Sequence, residues 1–166
     1  MAKQLFIIRH GKSDWGNHGL KDFDRPLNAR GHRNAPEMVQ RLVSKSIVAQ
    51  LVVSSPALRA LTTAKYFAAG WNIVPDQLQT NLSIYEAQTK TLLKIINGFD
   101  NQYDRIALFG HNPGFTDLLN YLTNMHIGNI PTCGVAVIEF PFDEWELVSG
   151  GTGKLLLFDY PKSNQD

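Results

Sequence analysis

Five apolar, strand-like runs recur along this chain, at residues 4–9, 48–54, 105–110, 134–140 and 154–160, and helical patterns fill the intervals between most of them. Residues 33–44 place Met38, Leu42 and Val43 on one side, with Pro36 expected in the first turn, where a missing N–H costs little. Residues 56–69 open with Pro56 just after Ser54 and Ser55, two candidate caps. Residues 90–98 stop at a glycine, and 114–123 complete the helical set. Such alternation predicts an α/β fold: a three-layer α/β/α sandwich around a mostly parallel sheet. The last third shifts to strand followed by strand around a turn at Ser149-Gly150-Gly151-Thr152-Gly153, which predicts an antiparallel C-terminal edge. One domain is expected over residues 1–161, with 162–166 as a short tail.

The first run, Leu5-Phe6-Ile7-Ile8, delivers Arg9, His10 and Gly11 at its carboxyl end, where open α/β sheets bind ligands. Histidine is a nucleophile towards phosphorus, arginine is a fork for phosphate oxygens, and glycine allows close backbone approach. Two more segments follow apolar runs in the same way, Ser54-Ser55-Pro56-Ala57-Leu58-Arg59 and Gly110-His111-Asn112-Pro113-Gly114. Together they supply Arg9 and Arg59 as permanent cations, His111 as a further donor most effective as imidazolium beside a phosphate, and His10 as a base that must be neutral to attack. Taken singly, each has a plain structural reading: a hydrogen-bonded strand-end histidine, ion-paired arginines, a strand-to-helix turn.

In their order and spacing these segments resemble the histidine phosphatase superfamily, the phosphoglycerate mutase-like fold, and within it the small SixA-type phosphohistidine phosphatases. The likeness extends through Arg9-His10-Gly11-Lys12-Ser13, Asp22-Phe23-Asp24-Arg25-Pro26-Leu27-Asn28 and Gly31, then 54–59, 82–87, 110–114 and 153–161. It implies a metal-independent phosphatase in which His10 is transiently phosphorylated and then hydrolysed, with Arg9, Gly11, Ser13, Arg59 and His111 around the phosphoryl group. Glu86 stands where phosphoester-cleaving branches carry a proton donor, but a helix-start glutamate is an equal reading. Ser13 is a pocket hydroxyl or a simple loop serine, and Asp24-Arg25 reads as an internal ion pair fixing a long loop. Lys12 and Gly16 depart from the glutamate and asparagine of the larger mutases.

The polar stretch 12–33, without periodicity, directly follows His10 and is expected to wall the site. Only 52 positions separate Arg59 from His111, little room for a substrate-covering insertion, so an open site and hydrolysis are favoured over mutase chemistry. The substrate expected is a phosphorylated protein, with phosphohistidine favoured. The alternatives are a small phosphorylated molecule cleaved with Glu86 as acid, and a non-catalytic phospho-binding module. A net charge of +1 without a basic run argues against nucleic acid, and no run approaches a membrane span. The single cysteine, Cys133, and the immediate entry into a strand make a cytoplasmic location the expectation. His18, His32 and His126 read as solvent-facing or structural, and no histidine has metal-ligand spacing, so neither metal nor other cofactor is expected. Nothing in the sequence points to an oligomeric state.

Overall fold

The computed structural model describes residues 2–161, so the expected tail at 162–166 lies outside the described residues. Six strands, β1 (Lys3–Arg9), β2 (Leu51–Ser54), β3 (Leu78–Thr80), β4 (Arg105–Gly110), β5 (Val135–Phe140) and β6 (Lys154–Asp159), form one sheet in the order β3-β2-β4-β1-β5-β6. The β3–β2, β2–β4 and β4–β1 pairs are parallel, while β1–β5 and β5–β6 are antiparallel. Both expectations, the mostly parallel sheet and the antiparallel C-terminal edge, therefore hold.

Four helices, α1 (Ala29–Ser44), α2 (Leu58–Gly70), α3 (Thr89–Asn97) and α4 (Gly114–Thr123), cover the two faces. Successive strand residues point to opposite sides. Leu5 and Ile7 pack with Leu92 and Ile96 of α3 and with Phe115, Leu118 and Leu122 of α4. Phe6 and Ile8 pack with Met38 and Leu42 of α1 and with Ala64 and Phe67 of α2. Burial on both faces explains why β1 reads as a continuous apolar run rather than an alternating one.

Several boundaries differ from the sequence reading. Helix α1 begins at Ala29 rather than 33, because the Asn28 side chain caps it by accepting from the Gly31 N–H at 2.9 Å. Pro36 consequently lies in the helix interior, where it leaves one helical carbonyl without its usual donor. Helix α2 begins at Leu58, and its N-cap Ala57 has no side-chain cap, so Pro56 precedes the helix instead of opening it. Strand β3, absent from the predicted runs, is three residues long, with Gln79 and Thr80 exposed at the sheet edge.

Register sets up the site. Arg9 of β1 lies opposite Gly110 of β4, and Ser54 of β2 lies opposite Phe109 of β4. The residues that follow, His10, Ser55 and His111, therefore leave the sheet side by side at its carboxyl end. Antiparallel β5 starts at the same end, so the loop before it closes the group from the far side: the Cys133 N–H donates to the His10 carbonyl at 2.9 Å.

Candidate active site

His10 is 7% exposed, and its Nδ1 lies 2.7 Å from the carbonyl oxygen of Gly11. A carbonyl only accepts, so Nδ1 carries the proton and Nε2 keeps its lone pair. Burial, with His111, Arg59 and Arg9 adding positive charge nearby, lowers the His10 pKa from 6.5 to about 3, although the Gly11 bond opposes the shift. At neutral pH the ring is thus a neutral base with a defined free nitrogen. The Gly11 N–H is itself engaged, donating to Thr63 Oγ1 at 2.9 Å, and Thr63 in turn donates to the Arg59 carbonyl at 2.8 Å. The turn after β1 is tied in this way to α2, which carries Arg59.

His111 is the mirror case. Its Nε2 lies 2.8 Å from Ser55 Oγ, and that oxygen already accepts from the Ala57 N–H at 3.2 Å. Among the described residues the Ser55 hydroxyl proton has no other acceptor, so it is assigned to Nε2, which puts the ring proton of His111 on Nδ1. Burial first, then Arg59, lowers its pKa from 6.5 to about 4, with Arg25 and Arg9 adding to the fall and Asp22 opposing it. At neutral pH the free protein therefore holds the His111 ring uncharged. The two rings, with centroids 5.3 Å apart, share one charge state and one tautomer, the proton on Nδ1, but leave opposite nitrogens unengaged: His10 offers the lone pair of Nε2 and His111 the N–H of Nδ1.

Around them converge three guanidinium groups. Arg9 donates through Nη1 to the Ile130 carbonyl at 2.9 Å, an oxygen that also accepts from the Asn112 side chain at 2.9 Å. Arg59 grips Asp22 twice, through Nη1 to its carbonyl at 2.7 Å and Nη2 to Oδ2 at 3.0 Å. Arg25 donates to Ser13 Oγ and to Asp22 Oδ1, the latter at 2.9 Å. Among the described residues, four buried side-chain nitrogens have no partner: Nε of Arg9, Arg25 and Arg59, and Nδ1 of His111. All four belong to residues lining one cleft of about 940 Å³. A buried unmet donor costs about 1–3 kcal/mol. A multi-oxygen anion is the kind of ligand that would meet several at once.

The stretch after His10 does form one wall, through Lys12, Ser13, Trp15, Asp22 and Arg25. Its fixing ion pair is Arg25 with Asp22 rather than with Asp24. Asp22 also accepts from Tyr85 Oη at 2.6 Å, and Tyr85 stacks edge-on against His111 at 5.4 Å. Although desolvation opposes it, hydrogen bonds from Tyr85, Arg25 and Arg59 hold the Asp22 carboxyl far below the usual carboxylate range. Desolvation and Asp22 push the Tyr85 hydroxyl up to about 12. Asp22, Tyr85 and Ser55 went unrecognised in the sequence as site residues. Their roles come from partners distant in the chain, and no local pattern marks them.

Glu86 lines the cleft from the loop before α3, with φ at 57°, a left-handed conformation uncommon for a residue with a Cβ. It is not part of a helix start. Ser13 is buried, yet it accepts from Arg25 and so is at least partly occupied within the protein. His18, His32 and His126 are exposed and outside the cleft; His32 Nδ1 lies 2.8 Å from the Tyr66 hydroxyl. Among the described residues no group of three or more His, Cys, Asp or Glu side chains is arranged to hold a metal, and no helix is long and apolar enough to cross a membrane.

Residues 5–87 match the model of the histidine phosphatase superfamily, branch 1. The chain belongs to this superfamily. An uncharacterized chloroplastic protein of Arabidopsis thaliana is 28% identical over 156 residues, spanning 88% of this chain and 70% of the plant protein. The SixA-type protein from Agrobacterium tumefaciens superposes with a TM-score of 0.81 at 23% identity, covering 97% of this chain and 99% of its own. The structure of the protein histidine phosphatase SixA complexed with tungstate superposes with a TM-score of 0.79 at 20% identity, covering 95% and 97%. The fold is thus that of SixA-type and other histidine phosphatase superfamily proteins, and the cleft of this member is built on the segments that carry the family pattern.

Proposed function

We propose that the protein is a metal-independent phosphatase that works through a phosphorylated His10. Arg9, Arg59 and Nδ1–H of His111 hold the phosphoryl oxygens. Nε2 of His10 attacks phosphorus, the P–N or P–O bond to the leaving group breaks, and the leaving group takes up a proton. Water then attacks the phosphohistidine, releasing inorganic phosphate and returning Nε2 its lone pair. The observation that carries this reading is the meeting of a histidine whose tautomer is fixed with Nε2 free and four unmet buried donors on residues of the same cleft.

Phosphohistidine in a protein is the favoured substrate. Imidazole leaves readily once protonated, so its release needs little help from a positioned acid. Asp22 is held ionised and Tyr85 is held protonated at about 12, so neither is tuned to donate a proton at neutral pH. The names of the SixA neighbours support the same substrate class. The test measures phosphate release from a phosphohistidine peptide and from a simple phosphoester, using chelator-treated protein with His10→Ala as control. Preferential cleavage of the peptide that depends on His10 is expected; no hydrolysis of either would end the proposal.

A second reading, a small-molecule phosphomonoesterase, is favoured by the placement of Glu86 on the cleft in a conformation that costs energy. It requires Glu86→Gln to slow ester cleavage far more than phosphoramidate cleavage. Equal effects would remove it.

A further inference from the structure

A second depression, of about 640 Å³, runs beside the open edge of the sheet between β3 and α3, and it joins the reaction cleft at Lys90, which lines both. Gln79 and Thr80 contribute polar side chains from β3, Ile95 and Phe99 contribute half-buried apolar surface, and Lys90 and Lys94 stand one helical turn apart along one side. Among the described residues no carboxylate lines this groove. Among the described residues neither lysine lies within ion-pairing distance of an acidic side chain. On its outer side β3 has no neighbouring strand, so its edge can accept an extended chain through main-chain hydrogen bonds.

The geometry points to a docking groove for the polypeptide that flanks the phosphorylated residue, an extended segment bearing acidic side chains. This inference rests on the phosphatase reading above and narrows its substrate to a protein. Charge complementarity selects the occupant: two cations without partners, no anion, and a direct opening onto the arginine-lined cleft. Four residues of helix rise about 6 Å between Lys90 and Lys94. An extended chain advances about 3.3 Å per residue. Acidic residues two positions apart on one side of the phosphorylated residue therefore meet both lysines.

The experiment compares phosphopeptides with acidic, neutral and basic flanks, together with a small phosphoester, on the wild-type chain and on Lys94→Glu. Lys94 lies outside the reaction cleft. Charge reversal is expected to raise KM for the acidic-flank peptide about tenfold with kcat unchanged, and to leave both constants for the small ester where they were. Indifference of the wild type to flank charge, or an unchanged KM in Lys94→Glu, would overturn the groove assignment. Direct binding of the labelled acidic peptide, followed by fluorescence anisotropy, scores the groove separately from turnover. Loss of binding in Lys94→Glu supports it even if neither substrate is hydrolysed, an outcome that would sink the phosphatase reading alone. Equal binding by both chains overturns it. Self-association abolished by Lys94→Glu, without peptide dependence, would give the groove to a second copy of the chain and likewise overturn the proposal.

Discussion

Replacing Ser55 by alanine tests the logic of the paired tautomers more sharply than removing either histidine. Ser55 is fully buried, its hydroxyl proton goes to His111 Nε2 at 2.8 Å, and no other described side chain bonds to that nitrogen. Without the hydroxyl, neutral His111 in the free protein carries its proton on either nitrogen, and part of the population presents no Nδ1–H to an arriving anion until it gains a proton. The lower bound on the effect is one neutral hydrogen bond, about 1 kcal/mol or roughly fivefold. The upper bound is outright loss of a transition-state donor, roughly a hundred- to a thousandfold. A fall in kcat/KM of about tenfold is expected on phosphorylated substrate, with the melting temperature monitored to separate catalysis from unfolding. Nitrogen NMR of the imidazole should show Nδ1–H in the wild type and a mixture in Ser55→Ala. An unchanged tautomer, or an unchanged kcat/KM beside a changed tautomer, would refute the reasoning.

Three further outcomes are expected. Because His10 and His111 titrate at about 3 and about 4 when folded but near 6.5 when unfolded, the unfolded chain gains protons first. Stability is therefore full above about pH 6.5 and falls as pH drops towards the folded values, by up to about 1.4 kcal/mol per pH unit for each histidine; urea midpoints that stay flat from pH 7 to 4.5 would contradict this. Lys3, 1% exposed, donates to the Asn101 carbonyl at 2.7 Å and to Asp104 at 2.9 Å, so Lys3→Met leaves that carbonyl and a part-exposed carboxylate without their donor and should cost about 1–2 kcal/mol in urea unfolding; a loss below about 0.5 would contradict it. At Gly31 an added Cβ would sit 2.3 Å from the Lys12 carbonyl, a backbone atom that cannot swing aside, so Gly31→Ala should cost about 2 kcal/mol or more in the same assay and raise KM by displacing the wall after His10; an unchanged KM would disconnect that contact from the site.

What could be read from the sequence was whatever one strand end states by itself. Apolar runs identify β1 and β4 because both faces of each are buried, and Arg9, His10 and His111 follow them directly. Strand β3 escaped because an exposed three-residue edge carries no apolar signal. The start of α1 is not legible because Pro36 points to a first turn there, whereas Asn28, eight residues earlier, makes the actual cap. Asp22 escaped for a different reason. It earns its place only by meeting Arg59, thirty-seven residues away, and Tyr85, sixty-three away, while Arg25, its local partner, reads equally well as paired with Asp24. Locally Ser55 reads as a helix cap, since capping is what a serine before proline does. Its bond to His111 requires β2 and β4 to be neighbours, a property of the sheet order.

Burial and the convergence of residues distant in the chain also set the charge state of His111. In the free protein its pKa sits at about 4 because burial strips away water and Arg59, Arg25 and Arg9 crowd it with positive charge. A phosphoryl dianion held by those arginines reverses the sign of that field. Two unit charges about 4 Å apart interact by roughly 4 kcal/mol in a protein-like dielectric, enough to move a titration by several pH units. On the proposed mechanism His111 is expected to take up a proton as the anion arrives, so that its Nδ1 bond becomes charge-assisted. In that mechanism His10 would escape protonation at the moment of attack, since its Nε2 lone pair is then shared with phosphorus rather than with a proton. Titrating the imidazole C–H resonances with and without saturating inorganic phosphate should carry the His111 midpoint from about 4 up towards neutrality, with net proton uptake on binding. A midpoint that stays put would mean that the anion does not lie beside His111, and the role given to its N–H would have to pass to another group.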